Sequence, residues 1–210
     1  YKEKADASLK EVVVKPAAEF EFGSKLSRKK EIALGNLISD AQTAYLASIG
    51  VPVDFAITNG GNIRTHLPEG DVTREDILTV LPFENRVYVV TLKGSDVVKL
   101  FDFIGTIPQG AGAFAQVSKE VNMTLNYDAG KIENVTIGGK PIDTSRSYKI
   151  AVNDYLAEGG DGYLVFTEAI ETFNTSMLLS DVVIDYVQTL VQPIVPKTDG
   201  RIKIIGGMAL

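Results

Sequence analysis

Cysteine is absent from the 210 residues, which excludes disulfides, zinc–thiolate sites and thiol nucleophiles. Histidine occurs once, at His66. That excludes HExxH and any metal site needing two or more histidines from this chain. A Ser-His-Asp triad would have to use His66, whose position near a loop fits a surface or hydrogen-bonded role better. Apolar runs reach only about five residues, too short to span a bilayer. Positive charge is in deficit, with 21 Lys and Arg against 27 Asp and Glu and a net charge of −6. Without a basic stripe, nucleic acid is excluded as a partner. An anionic small ligand needs a few arginines acting locally against this global field. No initiating Met or signal pattern precedes Tyr1, so the chain reads as a mature product or a piece of a longer protein.

What is present fits a globular fold. Hydrophobic residues make up 45% and charged residues 23%, an ordinary balance for a chain with a packed core. The length suits one domain with an appendage. Residues 1–22 read as a lead-in, helix-prone at first, with a short strand signal at Val12-Val13-Val14 that Pro16 ends. From Glu31, apolar residues recur at helical spacing through Ile49, and Gly50 closes the helix. Strand patterns follow at Val53–Thr58, Arg86–Leu92, Val121–Tyr127, Ile132–Ile137, Ser147–Asn153 and Arg201–Ile205. Further helices begin at Thr73, Ser95 and Ser180, each read as a side-chain cap. Crossovers and hairpins together predict an α+β fold, a mixed sheet with helices packed on it.

Three loops carry candidate chemistry. In Thr58-Asn59-Gly60-Gly61-Asn62-Ile63-Arg64 the glycines, Gly61 included, let backbone approach a ligand. Asn59 offers a donor and an acceptor, and Arg64 a planar fork for phosphate. It lacks the ending of a P-loop. A tight turn with a surface arginine accounts for it equally well. In Asp154–Tyr163, three glycines surround Asp161, which can accept from ligand hydroxyls, with Tyr155 as an aromatic wall. Calcium is excluded there because oxygen ligands at alternate positions are missing. Glycines serving turns alone is the other reading. In Leu81-Pro82-Phe83-Glu84-Asn85, Phe83 is either exposed for stacking or, by the general behaviour of aromatics, buried. Gly110–Ala115 matches GxGxxA but follows Pro108 rather than a strand, which argues against a dinucleotide site. Asn122, Asn134 and Asn174 begin sequons that matter only in a eukaryotic secretory setting.

Four segments occur in order: Leu34-Gly35-Asn36-Leu37-Ile38-Ser39-Asp40-Ala41, Thr58–Arg64, Leu81–Asn85 and Gly159-Gly160-Asp161-Gly162-Tyr163. Together they resemble the C-terminal domain of the 5′-nucleotidase / UDP-sugar hydrolase family, from about Ser24 to Arg201. The resemblance implies a substrate-binding domain over 23–210 behind an interdomain linker or helix remnant over 1–22. It implies a partner: an N-terminal metallophosphoesterase domain of the same protein that holds two divalent metals. This chain then binds no cofactor itself and is inactive alone. It also implies a nucleoside or nucleotide ligand and a periplasmic, secreted or cell-surface location. By resemblance, Phe83 and Tyr155 sandwich the base, Asn59 and Asn85 make polar contacts to it, and Asp161 accepts from the ribose. Arg28 and Arg64 meet the phosphates. Electrostatics then predicts Asp161 at the far end of the ligand from both arginines. One departure is Asn62, where the family commonly has glycine. Alternatives are a stand-alone nucleoside-binding module, or the same domain in a 2′,3′-cyclic nucleotide phosphodiesterase or a thiosulfohydrolase. The retained aromatic pair and Asp161 favour a nucleoside over thiosulfate.

Overall fold

Successive residues of the central strands alternate between two apolar layers. Phe55 and Ile57 point into one core, while Ala56 points into the other. Ile150 and Val152 are likewise split from Ala151, and Val90 and Leu92 from Val87 and Val89. A sheet buried on both faces must carry helices or a second sheet on each.

The computed structural model describes residues 2–210. In chain order the elements are α1 (Lys2–Leu9), β1 (Val12–Val14), α2 (Ala33–Ser48), β2 (Phe55–Asn59), β3 (Val72–Thr73), α3 (Arg74–Val80), β4 (Arg86–Lys93), α4 (Gly94–Thr106), β5 (Ala115–Val117), β6 (Val121–Asn126), β7 (Lys131–Ile137), β8 (Ser147–Asn153), α5 (Asp154–Ala157), β9 (Glu171–Leu178), α6 (Leu179–Thr189) and β10 (Ile202–Ile205). The main sheet has the order β5-β2-β8-β4-β9, with β2 and β8 parallel and the other neighbours antiparallel. Helices α2, α3 and α6 cover one face; α4 and the small sheet β10-β6-β7 enclose the core of the other. This is the expected mixed-sheet α+β architecture. Val13, Val14 and Phe20 of the lead-in are buried in the first core, and β1 pairs with β3. Tyr1 lies outside the described residues.

Thr73 caps α3 as expected, in a capping box with Asp76. Gly50 follows α2 at φ 78°. Two other caps differ. Helix α4 starts at Gly94, not after Ser95, and α6 at Leu179, not after Ser180. Both continue directly from strands, and neighbouring carbonyls satisfy their first amides. Gly94 N–H donates to Arg146 O at 2.7 Å and Leu179 N–H to Asn85 O at 2.8 Å. Ser95 and Ser180 therefore sit at the second helical position, where the backbone is already helical and the N-cap place is taken by Lys93 and Leu178. Helix α2 starts at Ala33, two residues later than the pattern from Glu31. Glu31 is buried instead, its carboxylate accepting from the amides of Asp199 and Gly200. The edge strand β9 carries no strand signal in the sequence, because its exposed, polar run lacks alternation.

Candidate functional site

The site lies where β2 and β8 end side by side. Beyond β2 the chain turns sharply through a 3₁₀ turn, Gly60–Asn62. Gly60 N–H donates to Phe114 O and Gly61 N–H to Gly112 O. These bonds tie the turn to the segment after Pro108. Beyond β8, Asn153 caps α5 by accepting from Leu156 N–H at 2.8 Å. The chain then passes through Gly159 and Asp161, both at positive φ, which folds the loop back over α5.

All eight residues singled out above line one cavity of about 480 Å³: Arg28, Asn59, Gly61, Arg64, Phe83, Asn85, Tyr155 and Asp161. Small-molecule sites typically enclose roughly 300–1,000 Å³. Asn62 and Gly112 complete the lining. Phe83 is 51% exposed and Tyr155 47% exposed, so the general expectation of a buried Phe83 fails. Within the connection from α3 to β4, Leu81 fills the core and Phe83 faces the cavity, where Arg64 lies over it, its guanidinium carbon 5.8 Å from the ring centroid.

Polar groups on the β8 side form a closed relay. Asn153 Nδ2 donates to Asn59 Oδ1 at 3.0 Å, and Asn59 Nδ2 to Asp161 Oδ2 at 3.0 Å. Tyr155 Oη donates to Asp161 Oδ1 at 2.8 Å and accepts from Asp161 N–H at 3.2 Å. That bond to the carboxylate is the chief cause of the raised Tyr155 pKa, so the phenol stays a neutral donor. Asn85 Nδ2 donates to Asp154 Oδ1 at 2.8 Å, which steadies the start of α5. Beneath the Asp161 loop, Tyr163 is fully buried, its Oη donating to Ala113 O at 2.7 Å. Burial raises its pKa far above the usual phenol value.

Arg28 is positioned by backbone capture. Gln116 Nε2 donates to Ser27 O at 2.9 Å and to Lys30 O at 2.7 Å. Gln109 Nε2 donates to Lys29 O at 2.9 Å, and Gly110 N–H to Arg28 O at 2.7 Å. Arg28 and Asp161 both approach Gly112. A Cβ on Gly112 would sit 3.8 Å from Arg28 Nη1 and 3.9 Å from Asp161 Oδ2. Backbone pairing of Gly61 with Gly112 brings this glycine into the wall between the two loops. Arg64 lies over Phe83 and donates from Nη1 to Gly61 O at 3.3 Å.

Two buried polar atoms without a hydrogen-bond partner among the described residues belong to this lining, Arg28 Nε and Asn62 Nδ2. The segment Gly110–Ala115 follows no strand and reads from sequence as no dinucleotide site, yet its Gly112 forms part of the cavity wall; the glycine pair 110/112 is the available signal. Asn153, which orients Asn59, is buried at the end of a strand and gives no local signal. His66 contacts Glu19 through Nδ1 at the surface, away from the cavity. Among the described residues, no group of three or more His, Cys, Asp or Glu is placed to hold a metal ion. No described helix is long and apolar enough to cross a membrane.

The chain is thus a mixed-sheet α+β domain with one cavity of this composition at its strand ends. The family model described as "5′-nucleotidase, C-terminal domain" matches residues 11–168, and the chain belongs to that family. It is 36% identical over 184 residues to the trifunctional nucleotide phosphoesterase protein YfkN of Bacillus subtilis (strain 168), covering 84% of this chain and 12% of that protein. It is 30% identical over 188 residues to a 5′-nucleotidase of Vibrio cholerae serotype O1, covering 90% of this chain and 32% of that protein. The chain therefore spans a third or less of these relatives. The crystal structure of a 5′-nucleotidase precursor from Thermus thermophilus matches with a TM-score of 0.86 and 28% identity, over 99% of this chain and 42% of that one. The fold is shared with the NAD nucleotidase of Haemophilus influenzae, TM-score 0.81 at 22% identity, over 99% of this chain and 40% of that one.

Proposed function

We propose that this chain is the substrate-recognition domain of a metal-dependent nucleotidase, binding a nucleoside or nucleotide without hydrolysing it alone. The observation that supports this most is the composition of one cavity: two half-exposed aromatics, a carboxylate held by a relay, and two arginines. Phe83 and Tyr155 stack on the base, each contact contributing about 1–3 kcal/mol. Asn59 and Asn85 make polar contacts to it. Asp161 accepts from the ribose hydroxyls, with Tyr155 and Asn59 holding its oxygens in place. Arg28 and Arg64 supply charge-assisted bonds to phosphate, about 1.5–3 kcal/mol each. Both Arg28 and Asp161 approach Gly112, which lies in the wall where ribose and first phosphate meet.

The phosphoryl chemistry belongs to two divalent metals in an N-terminal metallophosphoesterase domain of the same protein, located in the periplasm, at the cell surface or outside the cell. Such a pair activates water and clamps the leaving oxygen. This chain's part is to fix the nucleotide relative to that centre. Titrations of adenosine and AMP test the reading. Asp161→Ala should weaken both ligands, and Arg64→Ala should weaken AMP about tenfold or more while leaving adenosine nearly unchanged. Equal losses for both ligands in Arg64→Ala would make the arginine a support of the loop, not a phosphate contact.

A further inference from the structure

A directed chain of hydrogen bonds ends in the cavity wall. Asn59 and Asn153 are the last residues of β2 and β8, which are parallel neighbours in the main sheet, so their side chains meet at the same strand ends. Both are buried, at 4% and 2% exposure. Leu156 N–H donates to Asn153 Oδ1 at 2.8 Å, Asn153 Nδ2 to Asn59 Oδ1 at 3.0 Å, and Asn59 Nδ2 to Asp161 Oδ2 at 3.0 Å.

The direction of this chain is set at both ends. A backbone amide only donates, and an ionised carboxylate only accepts. Between those ends each asparagine has one orientation that pairs every group. Turning either amide over puts oxygen against oxygen or nitrogen against nitrogen. Burial makes such a mismatch costly, because water does not replace the lost bond. Asp161 lies at φ 56°, in the left-handed region, and its other oxygen accepts from Tyr155 Oη at 2.8 Å. Each carboxylate oxygen thus receives one bond from the protein and keeps room for one from a ligand. Tyr155 is half-exposed, so the Oδ2 bond is the one anchored in buried structure.

We propose that Asn153, which is not part of the cavity lining, is a positioning residue: through Asn59 it holds the Asp161 carboxylate in the orientation that receives the ribose hydroxyls. This deepens the nucleotide reading above and rests on it. The Asn153 amide does two separable jobs. Its Oδ1 caps α5, and its Nδ2 sets which way Asn59 faces. Without that donor Asn59 is free to turn, and Asp161 loses the fixed partner of Oδ2.

The experiment is calorimetric titration of adenosine and 2′,3′-dideoxyadenosine, both uncharged, into the 210-residue chain and its Asn153→Ser and Asn153→Asp variants, with circular dichroism to verify folding. Serine and aspartate are both good helix caps, so both variants keep the bond to Leu156 N–H. Serine is too short to reach Asn59 and leaves its Oδ1 unpaired. It should weaken adenosine about three- to tenfold and dideoxyadenosine by less than about twofold. Aspartate keeps the size but only accepts, so it draws Asn59 Nδ2 away from Asp161. Adenosine should then weaken by about tenfold or more, with dideoxyadenosine again within about twofold. Because neither ligand is charged, the new carboxylate alone does not separate them, and the serine variant keeps the test open if the aspartate variant misfolds. Equal losses for both ligands, or unchanged adenosine affinity, overturn the role of Asn153 and leave the nucleotide reading standing. A wild-type chain that binds adenosine no tighter than dideoxyadenosine takes the ribose away from Asp161 and overturns that role as well. Failure of the wild-type chain to bind either ligand overturns both readings.

Discussion

Replacing Gly60 by alanine tests how the site holds Arg28. A Cβ at Gly60 would lie 2.1 Å from Ser27 O, 2.7 Å from Ser27 C and 3.1 Å from Arg28 Cα. These are backbone atoms, so no flexible side chain can swing aside. Either the turn after β2 moves or the Leu26–Arg28 turn does. The second is pinned by Gln116, Gln109 and Gly110, and Ser27 Oγ donates to Gly60 O at 2.9 Å. Overpacking of this kind costs about 1–3 kcal/mol, and losing the serine bond about 1 kcal/mol more. A total of roughly 2–4 kcal/mol corresponds to a fall in Tm of about 5–15 °C for a domain of this size. Because the displaced atoms carry Arg28, AMP binding should weaken together with stability. Gly50→Ala is the contrast. Its φ is 78°, but nothing lies within 4 Å of its Cβ. It should cost about 1–2 kcal/mol through backbone strain alone and leave AMP binding unchanged. Differential scanning calorimetry and AMP titration of both variants decide the matter. A Gly60→Ala protein melting within about 2 °C of the parent, with unchanged AMP affinity, would refute the argument.

Arg201 is 5% exposed, binds both Asp40 oxygens and Asp199, and donates to Val117 O. Arg201→Leu strands partly buried carboxylates and should cost about 3–5 kcal/mol, seen as a fall of about 10 °C or more in Tm. Asp199 gives a pH signature: its hydrogen bond with Arg201 is the chief cause holding its pKa below the ordinary 3.8. A folded pKa below the unfolded one means the stabilisation is complete above that ordinary value and fades as pH falls through the lower folded value. Urea midpoints measured at neutral pH and again below that ordinary value should therefore lie closer together for Asp199→Asn than for the parent. An equal separation in both proteins would exclude Asp199 from the acid response.

Local chemistry decides much of this protein before any contact is known. The 3.6-residue recurrence marks α2, the alternation from Val121 to Tyr127 marks β6, and Thr73 with Asp76 marks the start of α3. Such signals are legible because each depends on residues three or four apart, or two. The loops that line the cavity are legible too, since closely spaced glycines beside Asn, Asp and Arg are costly unless turns or ligands need them. What no local window holds is the partner of a group far along the chain. Ser95 and Ser180 look like caps, yet each helix begins one residue earlier, directly from a strand, with its first amide bonded to a distant carbonyl of Arg146 or Asn85. Glu31 looks like the start of a helix, yet it is buried against amides of Asp199 and Gly200. Phe83 looks like core, but Leu81 takes the core place in that connection and Phe83 faces the cavity under Arg64. Tertiary packing alone brings Arg28 and Asp161 up to the same glycine, Gly112, and leaves Arg28 Nε and Asn62 Nδ2 buried without a partner among the described residues. Hydrogen bonds and close packing act over a few ångströms of space, without regard to how many residues of chain lie between.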